Sequence, residues 1–260
     1  MSSAPLFIQV PLRWDRPRPV EAPSPPPAER EDVRQLRAAL GEHAREVVSG
    51  RELLGRVEKA SRGALATGVG PLDALLGGGL PKGKLIEMIG ARSSGRWSAV
   101  VAALAGVTGC GEAAALVDHG GHFDPQIAAE AGVDLERLLL VAPQRLKDCV
   151  AAAELLLATG FPLVAVDLGM RVRGKRVPDA AWVRLARAAA AHGAALVVSS
   201  PYSLAGMAAE GVVRTGRGVP RWNRRGAPLL EGLDSRLAIE RHRHMREGMQ
   251  NDYRVEQLHS

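Results

Sequence analysis

Aromatic residues make up only 3% of this 260-residue chain, so a core has to be assembled from Ala, Leu and Val. Cysteine is scarcer still. Cys110 and Cys149 stand far apart and outside any metal-ligand spacing, which argues against a disulfide framework or a cysteine zinc site and leaves reduced, buried thiols as the expectation. The sequence has no run of about 18 or more apolar residues and no charged-then-apolar leader, so neither a membrane span nor secretion is expected and the cytoplasm is the expected compartment. Acidic residues are outnumbered: 34 Lys and Arg face 28 Asp and Glu, for a net charge of +6 and a pI near 9.9. That balance permits polyanion binding without specifying it.

Hydrophobic residues make up 46% of the chain, enough for one large domain or one domain with appendages. Prolines from Pro5 to the run Pro25-Pro26-Pro27 exclude regular structure over 1–28, which reads as a flexible arm carrying one apolar stretch, Leu6 to Trp14. Over 29–62, Val33, Leu36, Leu40, Val47, Leu53, Leu54 and Val57 recur at helical spacing, with a break at Ser49-Gly50. The excess positive charge is concentrated late. Between Arg214 and Arg246 nine arginines stand against three acids, Glu231, Asp234 and Glu240, and a smaller cluster holds Arg171, Arg173, Lys175 and Arg176.

The central part alternates. Apolar runs at Leu85–Ile89, Ala113–Asp118, Leu138–Val141, Leu163–Asp167 and Ala194–Ser199 predict strands, and the segments between them predict helices: from Trp97 to about Gly106, Ile127–Ala131, Gln144–Thr159 and Asp179–Ala191. Such alternation predicts an α/β fold with a mostly parallel central sheet and helices on both faces. After Pro201 no period emerges until Arg236–Arg241, which predicts a late strand; the core is expected over 63–245 and a polar, frayed tail over 246–260.

The first strand feeds Gly90-Ala91-Arg92-Ser93-Ser94-Gly95-Arg96-Trp97-Ser98. A glycine-bounded loop between a strand and a helix is the layout of a phosphate-binding P-loop, whose backbone N–H groups face an anion. A working loop then needs a lysine for the β/γ phosphates and a Ser or Thr hydroxyl for Mg²⁺. Those places hold Arg96 and Trp97, and an indole offers no oxygen to a hard cation. Ser98 lies about 100° further around the helix and does not substitute. Three readings stand: a nucleotide site with unusual ligands, a binding-only site without Mg²⁺, or a scaffold kept for folding. Asp118 and Asp167 end their strands, Asp167 in the Walker B position, and without the hydroxyl ligand for a metal they are expected to cap strands or pair with Arg96. His242 and His244 share a strand face but lack a third ligand, so no metal site is expected.

In this order Thr67-Gly68 to Leu72-Asp73, Gly79 to Gly83, Glu87 to Gly90 with Ser93-Ser94-Gly95, Asp118 with Phe123-Asp124-Pro125, Ala131 to Leu135 and Val166-Asp167 resemble the RecA core, over about Leu65 to Arg243. The departures fall on catalysis. RecA's water-activating glutamate corresponds to Gly120, its P-loop lysine to Arg96, its Mg²⁺ hydroxyl to Trp97, and its γ-phosphate-sensing glutamine to Ser199-Ser200-Pro201. No counterpart of the RecA C-terminal domain is expected.

A short RecA-like chain with a degenerate P-loop, a proline-rich front and an arginine-rich end is similar to the ImuA family of bacterial inducible mutagenesis cassettes. That resemblance implies a non-hydrolysing adaptor of error-prone translesion synthesis, without a bound nucleotide cofactor, that assembles with ImuB and an error-prone polymerase. RecA and single-stranded DNA are further implied partners, with ImuB contact from about Arg214 onward. The alternative is a DNA-dependent ATPase of the recombinase type using Arg96 for the lysine. By position in the RecA core, Arg171, Arg173, Lys175, Arg176, Arg214, Arg217, Arg221, Trp222, Arg224 and Arg225 are the expected DNA or partner contacts.

Overall fold

The computed structural model describes residues 63–170, 172, 177–223, 229–244 and 247–256. The arm at 1–28, the helical segment at 29–62 and the side chains of Arg171, Arg173, Lys175, Arg176, Arg224 and Arg225 lie outside the described residues.

A short antiparallel pair, β1 (Ala64–Leu65) with β2 (Leu80–Pro81), brackets helix α1 (Gly70–Leu75) and leads into the main sheet. The strands of that sheet are β3 (Leu85–Ile89), β4 (Ala114–Asp118), β5 (Leu138–Val141), β6 (Leu163–Asp167), β7 (Ala195–Ser200), β8 (Gly211–Thr215), β9 (Val219–Asn223), β10 (Leu229–His242) and β11 (Gln250–Glu256). Their order is β11-β10-β8-β3-β7-β6-β4-β5, with β9 also pairing β10. Strands β8, β3, β7, β6, β4 and β5 run parallel; β9, β10 and β11 add antiparallel pairing on the far side. The connecting helices are α2 (Arg96–Gly109), α3 (Pro125–Glu130), α4 (Leu146–Ala158) and α5 (Asp179–His192).

Successive side chains of a strand point to opposite faces, so a sheet covered on both sides builds two cores. Ile86 and Met88 of β3 and Leu163 and Ala165 of β6 pack with α1 and α2 through Leu72, Leu75, Val100 and Leu104. Val164 and Val166 face the other way, onto Cys149 and Leu157 of α4 and Trp182 and Leu185 of α5. Each fully buried leucine contributes about 1.5–3 kcal/mol, so the helices are held chiefly by these faces. The expected inward set of α4, Cys149, Ala153, Leu156 and Leu157, is buried.

Helix α2 continues three residues beyond the expected end at Gly106. Gly106 sits where the helix crosses Thr67, and a β-carbon there would lie 2.5 Å from the Thr67 carbonyl oxygen. The glycine is therefore a packing residue rather than a stop. Thr67 is fixed in turn by Asp73, which accepts from its N–H at 2.9 Å and its hydroxyl at 2.7 Å.

Two expectations for the late part of the chain are corrected. The stretch without clear period after Pro201 contains β8 and β9, and the late strand expected at 236–241 spans 229–242 with two irregularities of register. The segment expected as a frayed polar tail contains β11, paired antiparallel to β10 from Gly232↔Glu256 to Ala238↔Gln250. Backbone pairing at a sheet edge leaves polar side chains in solvent, so no apolar period marks such a strand.

Candidate functional site

In register at the C-terminal ends of the parallel strands stand Asp118 on β4, Asp167 on β6 and Ser199 on β7, with Met88 of β3 opposite Ser199. This is where open α/β sheets place their sites. The loop from Gly90 to Gly95 rises from β3 beside them and enters α2 through Gly95, whose φ of 80° is left-handed. Ser93 also has a positive φ, 57°, a conformation seldom taken by a residue with a side chain.

The loop is strapped to strands from the other end of the chain. The hydroxyls of Ser94 and Thr215 lie 2.6 Å apart, the Ser235 hydroxyl donates to the Ser94 carbonyl at 2.6 Å, and the Gly218 N–H donates to the Ser93 carbonyl at 3.2 Å. Gly90 is obligatory, because a β-carbon would lie 2.0 Å from Thr215 Oγ1.

Asp167 is fully buried, and protein groups surround its carboxylate. Oδ1 accepts from the Ser199 hydroxyl at 2.7 Å, and Oδ2 lies 2.8 Å from Nδ1 of His122. Nη2 of Arg96 lies 4.0 Å from Oδ1 and 3.6 Å from the Met170 sulfur. Arg96 is itself buried, which lowers its pKa from the ordinary value, partly offset by the charge of Asp167. Among the described residues its Nη1 is a buried nitrogen without a hydrogen-bond partner.

Gly120, the expected counterpart of RecA's glutamate, is closed in. A β-carbon there would lie 2.3 Å from Asp167 Oδ2, 2.7 Å from His122 Nδ1 and 2.8 Å from Gly169 Cα. Trp97 is half-buried against the α1–α2 core, its ring centroid 6.0 Å from that of His122. Of the two capping-or-pairing roles expected, Asp118 takes the cap: it accepts from the N–H groups of Gly121, His122 and Phe123. Asp167 takes the pair.

The described basic residues lie along β8 and β9. Arg214 is ion-paired with Glu240, Arg221 with Asp234 at 3.4 Å, and Arg217 is exposed in the turn between the strands. Trp222 is 52% exposed on β9, which leaves a face for stacking. The rings of His242 and His244 meet edge-on, and no cluster of three metal-ligating side chains occurs among the described residues. No described helix is long and apolar enough to cross a membrane.

His122, Thr215 and Ser235 were not singled out from the sequence as parts of the site. His122 sits two residues after Gly120, yet only the close approach of β4 and β6 brings it to Asp167. Thr215 and Ser235 lie more than a hundred residues from the loop they brace, and short range spacing carries no signal for them.

A parallel sheet with a left-handed glycine loop after a central strand, and acids ending two further parallel strands, defines a P-loop-type α/β core. The RecA N-terminal domain model matches residues 34–171, and the chain belongs to that family. It is similar to Protein RecA of Clavibacter michiganensis subsp. michiganensis, 34% identical over 137 residues, covering 52% of this chain and 38% of that protein. Protein RecA of Nostoc punctiforme is 48% identical over 88 residues, covering 34% and 23%. The chain thus spans less than half the length of these curated relatives. The crystal structure of the RadB recombinase shares the fold, with a TM-score of 0.58 at 22% identity, over 74% of this chain and 96% of that one.

Proposed function

We propose that this chain is a RecA-like adaptor of the ImuA kind that does not hydrolyse ATP and acts in DNA-damage-induced, error-prone translesion synthesis. It works in the cytoplasm with ImuB and, through it, an error-prone polymerase, with RecA and single-stranded DNA as further partners. One observation carries the reading: the Asp167 carboxylate is already engaged by Ser199 and His122, with Arg96 close by, and the backbone at Gly120 has no room for a glutamate. A magnesium-bound triphosphate fits these residues poorly. Trp97 supplies no oxygen, and the Arg96 guanidinium brings positive charge to the carboxylate that would otherwise face a metal. The fold is kept, on this reading, for the surfaces it displays.

One observation favours the second reading, a recombinase-type ATPase using Arg96. Its buried Nη1 lacks a partner, and a phosphate oxygen would complete it. ATP turnover of the whole protein, with and without single-stranded DNA, separates the two. The adaptor reading expects no more turnover than an Arg96→Ala, Asp167→Ala double variant gives, together with retention of ImuB in a pull-down. Turnover above that control overturns it.

A further inference from the structure

At the opposite end of the sheet from the phosphate loop lies a second concavity of about 410 Å³, between the start of β3, the outer face of α5 and the turn Gly206–Ala208. Its apolar surface comes from Val183, Ala190 and Met207, and its charges from Lys84, Arg187 and Arg243. Val183, Arg187 and Ala190 recur at helical spacing on the face of α5 turned away from buried Trp182, Leu185 and Ala189.

Two features show that the groove is built. The Met207 carbonyl accepts from Arg243 Nη2 at 2.6 Å and the Gly206 carbonyl from Arg241, so the turn is held from behind while the Met207 side chain stays 75% exposed. Gly83, whose left-handed φ of 74° favours glycine, turns the chain into β3 in ordinary contact with Ala190 of α5. The charges do not balance. Three cations share one lining carboxylate, Glu210, which is buried and bound by Lys84 at 3.1 Å and approached by His244 at 3.3 Å. Among the described residues Arg187 has no acidic partner, and Arg243 is bonded only to carbonyl oxygen.

We infer that this groove docks a short segment of a partner protein that presents an apolar side chain flanked by carboxylates. The apolar anchor fits against Met207, Val183 and Ala190, and the carboxylates complement Arg187, Arg243 and Lys84; polarizable, flexible methionine suits such a contact. A nucleic acid would use the cations and leave the apolar wall unused, so the chemistry favours peptide. The groove lies at the other end of the strands from the phosphate loop and shares no lining residue with it.

The test is fluorescence anisotropy on the full chain, with a fluorescein-labelled synthetic peptide carrying leucine and phenylalanine among glutamates. Saturable binding is expected, weakened about tenfold or more by Arg187→Glu with Arg243→Glu, and similarly when the peptide's glutamates become glutamines. Replacing its leucine and phenylalanine by serine, or Met207→Ser in the protein, should weaken binding several-fold; Met207 is exposed, so that variant retains the fold. Thermal melts confirm folding of each variant. Absence of saturable binding, or equal binding by wild type and the double variant, overturns the proposal. So does tight binding of the serine peptide that a single-stranded oligonucleotide displaces, which assigns the cations to nucleic acid.

Discussion

Arg96 and Asp167 form an ion pair at the edge of contact, 4.0 Å apart, inside a protein that shields neither from its neighbours. Removing one member of such a pair strands the other. Asp167→Ala should lower unfolding free energy in urea by about 3–5 kcal/mol, and adding Arg96→Met should restore most of it, because no ion then remains buried. A double-variant loss equal to the sum of the separate Asp167→Ala and Arg96→Met losses would mean that the two groups do not interact. The cysteines make a second residue-scale case. Burial pushes the Cys149 thiol up to about 11, while Cys110 is exposed. A thiol whose folded pKa is raised holds its proton in the native state after the unfolded chain has lost it. Its contribution to stability is therefore full below the unfolded value and is lost as pH rises toward 11. Urea midpoints should fall over that window, less steeply in Cys149→Ala. At neutral pH a maleimide should label Cys110 in the native protein and reach Cys149 only on unfolding.

At the scale of elements, the sequence told most where burial is two-sided. Leu163–Asp167 emerged with the bounds the structure has, since every residue of that strand is buried and an acid closes it. Helix α4 followed from the spacing of Cys149, Ala153, Leu156 and Leu157. The outer strands β9 and β11 were opaque for the opposite reason. In β10 and β11 arginines and acids such as Arg236 and Asp252 face each other across the ladder at 3.1 Å, so the pairing is written in backbone and cross-strand charge. Amide hydrogen exchange checks this: the amides of 250–256 bonded to β10 should be protected to a degree comparable with β10 itself. Exchange of all of them within the dead time would return the segment to a frayed tail.

At the scale of the whole molecule, the candidate site was legible as a list and illegible as an arrangement. The four departures from RecA expected at Gly120, Arg96, Trp97 and Ser199 could be read in order, but not that Ser199 and His122 would both turn onto Asp167. The basic excess was likewise legible by position, at 171–176 and 214–246, but not by which arginines are already paired. Arg214 and Arg221 are drawn into ion pairs with Glu240 and Asp234, while Arg217 stands exposed. For the proposed contact with single-stranded DNA, each neutralised phosphate contributes roughly 0.7 to the slope of log affinity on log salt. Arg217→Gln should reduce that slope by about one such step and Arg214→Gln by much less; the reverse order would place the nucleic acid elsewhere. The enclosure of Gly120 makes the position all-or-none: any side chain there meets the Asp167 carboxylate, the His122 ring and the Gly169 backbone at once, so it is admitted only if all three give way together.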